Sequence, residues 1–231
     1  MAETALIVGA GSGLSASLAR LFAKDGMRVA LAARDTAKLG PLVKETSALA
    51  VACDAADPVQ IESMFAAVEA KWGVPDLVVY NAGYRVRGPL VSLDPKEVER
   101  TIRVSAYAGF LVAQAATKRM LPRASGAVFF TGASASVKGY AESAPFAMGK
   151  FALRGLAQSM ARELAPKGIH VAHFVIDGGI TSGAGDSRSR ERGADGMLLP
   201  AEIAKNYLHV FRQHRSAWTW EVELRPWVER F

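Results

Sequence analysis

Short apolar runs alternate along this chain with longer segments whose apolar residues recur at helical spacing. Thr4–Gly9 is a continuous apolar run closed by glycine, as expected of a strand buried on both faces. Leu14, Leu18, Leu21 and Phe22 then fall at i, i+4, i+7 and i+8, one face of a helix. Met27–Ala33 and the weaker Ser47–Ala52 predict two more strands, with a helical stretch from about Thr36 between them. Ile61, Phe65 and Val68 place Val59–Trp72 in a helix, and Leu77–Tyr80 reads as a fourth strand. Pro95 opens a long helical region that runs to Leu121 and bends near Ala108–Gly109. A strand at Ala127–Thr131, a helix at Ser143–Ala165 and a strand at Ile169–Ile176 follow. Pro200–Gln213 is a last helix with proline at its first position, and Ala217–Leu224 alternates like a closing strand.

Strands separated by helices of this length predict an α/β fold. Its core is a doubly wound parallel β-sheet of about seven strands with helices on both faces. The 231 residues suit one domain, 1–231, and half of them are hydrophobic, enough for a sizeable core. Sheets of this kind take their ligands beyond the carboxyl ends of the strands. The loops after the first, second, fourth, fifth and sixth strands are therefore where chemistry is expected.

Composition removes several alternatives. The one cysteine, Cys53, excludes an internal disulfide framework and a cysteine-based metal site, and no metal is expected. No apolar run approaches the roughly 20 residues that span a bilayer. The N-terminal residues lack the pattern of a signal peptide, so the expectation is a cytoplasmic protein with no membrane partner. The net charge of +6 is spread along the chain without a basic run or basic–aromatic interleaving, which argues against nucleic acid.

Two loops carry the ligand signal. Gly9-Ala10-Gly11-Ser12-Gly13-Leu14-Ser15 lies directly between the first strand and its helix. Glycines let a backbone approach a pyrophosphate, and the helix start offers free N–H groups and the positive end of a dipole. The candidate contacts are Gly9, Gly11, Ser12, Gly13 and Leu14. The second strand ends Ala32-Ala33-Arg34-Asp35. An acidic residue at its end would favour the ribose hydroxyls of NAD(H). Arg34 instead suits a 2′-phosphate, so NADP(H) is the expected cofactor and NAD(H) the less favoured one.

With these loops in view, the chain resembles the short-chain dehydrogenase/reductase family over almost its whole length. Asp54 resembles the family's adenine-contacting aspartate, and Asn81-Ala82-Gly83 matches its motif after the fourth strand. Asp177-Gly178-Gly179-Ile180-Thr181-Ser182 occupies the place of the segment that holds the nicotinamide carboxamide, through Gly178, Ile180 and Ser182. The resemblance implies a Rossmann-type fold, a small-molecule carbonyl or alcohol substrate, and a homodimer or homotetramer. It further implies a mobile substrate lid at 183–199. Ser15 departs from the pattern by standing where the family has a third glycine.

The larger departure lies in the catalytic set. The family uses Tyr-x-x-x-Lys, whose spacing puts both side chains on one helix face, so that the lysine lowers the phenol pKa. Here Phe146-Ala147-Met148-Gly149-Lys150 keeps Lys150, which also binds the cofactor in the family, and replaces the tyrosine with Phe146. Ala133 falls at the family's serine position with Ser134 beside it, and Ser105 falls at its asparagine position. Tyr84, Tyr107 and Tyr140 match no known spacing to Lys150 and read as packing or pocket lining. The four histidines, on the sixth strand and near the last helix, read as structural or surface residues. Two functions fit: an NADP(H)-dependent oxidoreductase with a tyrosine-less site, or a non-catalytic NADP(H)-binding regulator or redox sensor.

Overall fold

The computed structural model describes residues 2–183 and 185–229. Its centre is a sheet of seven parallel strands in the order β3-β2-β1-β4-β5-β6-β7. The strands are β1 (Thr4–Val8), β2 (Arg28–Ala33), β3 (Leu49–Ala52), β4 (Leu77–Tyr80), β5 (Gly126–Thr131), β6 (Ile169–Ile176) and β7 (Glu221–Leu224). The helices are α1 (Leu14–Lys24), α2 (Gly40–Thr46), α3 (Pro58–Trp72), α4 (Pro95–Ile102), α5 (Ala108–Met120), α6 (Ala144–Leu164), α7 (Ser187–Arg192) and α8 (Pro200–Phe211). The doubly wound α/β architecture expected from the sequence is the one found.

Burial explains the continuous apolar runs: β1, β4 and β6 are buried along their whole length, having helices on both sides. One core layer joins β4 and β5 to α3, α5 and α6 through Phe65, Val112, Phe130 and Leu153. The other packs α1 and α8 on the opposite face through Phe22, Phe129, Phe174 and Tyr207. Phe174 and Tyr207 stack with ring centroids 3.6 Å apart, locking α8 onto β6.

Some boundaries differ from the sequence reading for identifiable reasons. The break in the long helical region precedes Ala108 and is a π-helical turn over Arg103–Tyr107. Gly109, just beyond it, has no room for a side chain, since a Cβ there would lie 2.7 Å from Leu153 and 3.3 Å from Tyr80. The closing strand is only Glu221–Leu224, because Arg215–Ala217 form a 3₁₀ turn capped by His214. Within 183–199 a short helix, α7, is capped by Asp186, whose carboxylate accepts from the Arg188 N–H.

Candidate active site

The carboxyl ends of β1 and β4 meet where the glycine loop begins. Gly9 has φ +87°, and a Cβ on it would sit 2.4 Å from the Ala82 nitrogen, so only glycine fits. Nothing lies within 4 Å of the positions a Cβ would take at Gly11 or Gly13, which leaves space above the loop. No side chain caps the start of α1 at Gly13, so its N-terminal N–H groups are available to an anion.

Ser15 turns its departure from the glycine pattern into a tie. Its buried hydroxyl donates to the Gly9 carbonyl at 3.0 Å and accepts from the Asn81 side-chain amide at 2.7 Å. The glycine loop and the loop after β4 are thereby fixed to each other. Sequence reading could not foresee this, because the partners lie on three separate elements.

A groove of about 530 Å³ runs from this point along the strand ends. Gly9, Ala10, Arg34, Asp54, Asn81, Ala82 and Gly83 line it, as do Lys38, Arg100 and Arg103, which the sequence reading did not single out. Its size suits a dinucleotide portion, and its wall is cationic at the β2 end. Arg34 is exposed and has no acidic partner among the described residues, whereas Lys38 pairs with Asp35 at 3.2 Å. The glycines, the uncapped helix and the cationic end together could hold a dinucleotide phosphate.

Lys150 lies past the far end of the groove, on α6. Its side chain is buried and donates to the Thr131 carbonyl at the end of β5, at 2.8 Å. A Cβ on Gly83 would come within 3.8 Å of its Nζ, so the groove and the lysine are contiguous. Burial pulls the ammonium down to about 8. Phe146, one turn earlier, is half-buried, with its ring centroid 5.8 Å from the Lys150 nitrogen.

The remaining expected groups point elsewhere. Ser105, fully buried in the π-helical turn, donates to the Tyr84 carbonyl at 3.2 Å and braces the loop after β4. α6 can approach it because Gly149 has no side chain; a Cβ there would lie 2.7 Å from that of Ser105. The Ser134 side chain lies near the Asp177 carboxylate, which pairs with Lys138 at 2.8 Å and Arg225 at 3.1 Å. Tyr84 donates to Glu97 at 2.5 Å, an interaction that raises its phenol pKa, and Tyr107 stacks on Phe110. Tyr140 is exposed in the segment before α6. Beyond the strand ends, Ser182 bonds Asp186, and Ile180 bridges to Leu198. Arg188 and Arg192 pair with Asp186 and Glu229, and Arg190 borders a cavity of about 830 Å³ beneath the C-terminal segment.

Ser136, His173 and Glu221 stand in the order of a hydrolytic triad. His173 Nε2 is 3.3 Å from the Ser136 hydroxyl and its Nδ1 is 3.1 Å from Glu221. Ser136 and His173 are completely buried, and the serine oxygen already accepts the Ala133 N–H at 3.1 Å. No substrate reaches that oxygen, so the cluster holds structure: it ties the loop after β5 to β6 and β7. Among the described residues no group of three or more His, Cys, Asp or Glu could hold a metal ion. No helix there is long and apolar enough to cross a membrane.

Known proteins are similar to this chain in sequence and fold. Residues 3–192 match the short chain dehydrogenase family. (+)-Borneol dehydrogenase 1 of Salvia officinalis is 33% identical over 198 residues, 81% of this chain and 74% of that protein. A short-chain dehydrogenase from Rhodopseudomonas palustris is also 33% identical and superposes with a TM-score of 0.84 over 97% of this chain and 99% of its own. The alcohol dehydrogenase of the archaeon Thermococcus sibiricus, solved in complex with 5-hydroxy-NADP, shares the fold at a TM-score of 0.86 and 23% identity, covering 100% of this chain and 99% of its own. With most of its length matched and its glycine loop, Asn81-Ala82-Gly83 turn and Lys150 placed on one continuous cleft, the chain belongs to the short-chain dehydrogenase family.

Proposed function

We propose that the protein is an NADP(H)-dependent oxidoreductase that interconverts a carbonyl and an alcohol without a catalytic tyrosine. The contiguity of the phosphate-binding groove with the buried Lys150 carries this reading. Bound NADP(H) would supply or accept the hydride. Gly9, the α1 N-terminus and Arg34 would hold its phosphates, Asp54 its adenosine end, and Asn81-Ala82-Gly83 would form the floor. Gly178, Ile180 and Ser182 would face its nicotinamide end. Lys150 holds the proton: an ammonium with a pKa near 8 is an acid of suitable strength for an alkoxide forming beside it, directly or through one water. Phe146, its ring centroid 5.8 Å from the Lys150 nitrogen, borders the lysine.

Arg34 supports NADP(H) over NAD(H), as does the NADP analogue bound to the Thermococcus relative. NADPH is expected to bind more tightly than NADH, and Arg34→Ala to remove most of the difference, roughly 1.5–3 kcal/mol for a charge-assisted phosphate contact. Calorimetric titration of both dinucleotides decides it; equal affinities in the unmodified protein would sink the NADP(H) assignment. Tight NADPH binding with no turnover of any carbonyl or alcohol would instead favour a non-catalytic regulator.

The expected homodimer or homotetramer is supported by apolar side chains left exposed on two neighbouring helices: Phe110 on α5, and Met148 and Phe151 on α6, with Tyr107 just before α5. Phe110→Glu with Phe151→Glu is expected to convert the oligomer to monomer in light scattering. A monomeric mass for the unmodified protein at micromolar concentration would refute the assembly.

A further inference from the structure

The loop after β4 carries two arginines, Arg85 and Arg87, that take no part in lining the dinucleotide groove. Its backbone is anchored at both ends. Tyr84 is held by Ser105, and the Gly88 N–H donates to the Glu142 carbonyl, just before α6, at 3.0 Å. Between these anchors the Arg85 guanidinium stands 5.1 Å from the centre of the Phe146 ring, the ring that replaces the family's phenol. Two cations, Arg85 and Lys150, therefore border one ring at the catalytic position.

Several arginines of the molecule are neutralised by carboxylates, and these two are not. Arg119, Arg123, Arg154 and Arg212 each have a carboxylate partner. Arg85 and Arg87 have none among the described residues, and both side chains are exposed. Desolvation and the neighbouring Arg87 charge push the Arg85 pKa down. A planar guanidinium positioned by an aromatic face is the group best shaped to grip two oxygens of one anion.

We infer that Arg85, positioned on Phe146, binds an anionic oxygen group of the substrate, a carboxylate or a phosphate monoester, with Arg87 adding to the attraction. The substrates are then oxo or hydroxy compounds that carry their own negative charge close to the reacting carbon. This rests on the oxidoreductase reading of the same cleft. Selection follows from charge: a neutral ketone of similar size leaves the two cations unpaired.

Calorimetry on the protein saturated with NADP(H) tests this with three probes: oxamate, its neutral counterpart oxamide, and methyl phosphate. Saturation keeps the anions off Arg34. Oxamate or methyl phosphate is expected to bind at least tenfold more tightly than oxamide, and whichever does so names the anion class. Arg85→Met is expected to weaken that binding by roughly 10- to 100-fold, the loss of a charge-assisted pair, while leaving NADPH affinity unchanged. Arg85→Lys, which keeps the charge but loses the fork, should fall between. Oxamate and methyl phosphate binding no better than oxamide would overturn the inference, as would anion binding unaffected by Arg85→Met. Failure of NADPH itself to bind would instead remove the oxidoreductase reading, and the same probes would then be compared on the cofactor-free protein.

Discussion

Phe146→Tyr combined with Ala133→Ser is expected to raise carbonyl turnover by roughly 10²–10⁴-fold, the usual contribution of a positioned general acid. The new phenol would project from a ring already seated 5.8 Å from the Lys150 nitrogen and 5.1 Å from the Arg85 guanidinium. Both charges favour the phenolate and so lower the phenol pKa toward neutrality. Ala133 lies in extended backbone at the mouth of the loop after β5, a conformation serine adopts freely. Neither position lines the dinucleotide groove, so NADPH affinity should barely move and serves as the control. Single-turnover assays against a panel of neutral and anionic carbonyls read the gain. No gain on any of them, with NADPH bound, would show that the cleft does not present its substrate to position 146. Ordinary family rates in the unmodified protein that survive Lys150→Ala would place the active site elsewhere.

Acid sensitivity is the second large effect, and it comes from His173. Burial pulls this imidazole down to about 4; Glu221 opposes the shift, while the Lys150 and Arg154 charges add to it. Glu221 is itself gripped by two 2.7 Å bonds from Arg154. The folded protein therefore keeps His173 neutral, with Nδ1–H donating to Glu221, while the unfolded chain protonates it near its ordinary pKa of about 6.5. Because the folded pKa is depressed, the stabilisation is complete above pH ~6.5 and is lost as pH falls from there toward about 4. Full loss amounts to about 3 kcal/mol, a large share of a typical domain's stability. Urea midpoints for the unmodified protein and His173→Gln, measured from pH 7.5 to 4.5, isolate the contribution. A difference between the two proteins that stays constant across that window would contradict it.

The parts of this molecule that depend on neighbours in sequence were readable in sequence. β4 and β6 have the limits their apolar runs predicted, since a strand buried on both faces must be apolar throughout. The glycine loop was visible because strand, turn and helix start follow one another. What escaped depends on residues distant along the chain. Ser134 looked free to serve catalysis, yet its side chain lies near Asp177, supplied by the next strand. Arg85 was not singled out, because nothing near it in sequence shows that α6 sets the Phe146 ring 5.1 Å from its guanidinium. α7 was invisible for another reason: Ser187–Arg192 buries none of its residues, so no hydrophobic period marks it.

The position of β1 sets an order on the protein's assembly during synthesis. β1, β2 and β3 can close early by adjacent crossovers, but the other edge of β1 pairs with β4, Ala5 against Leu77. Until β4 emerges and folds back, that edge is an unpaired apolar template, and parallel pairing over so long a loop is slow. A dinucleotide cannot shorten the wait, because the floor it would rest on is the contact of Gly9 with Ala82, which exists only after β4 has docked. Nascent chains must therefore survive on dilution or chaperones until the centre of the sheet is complete.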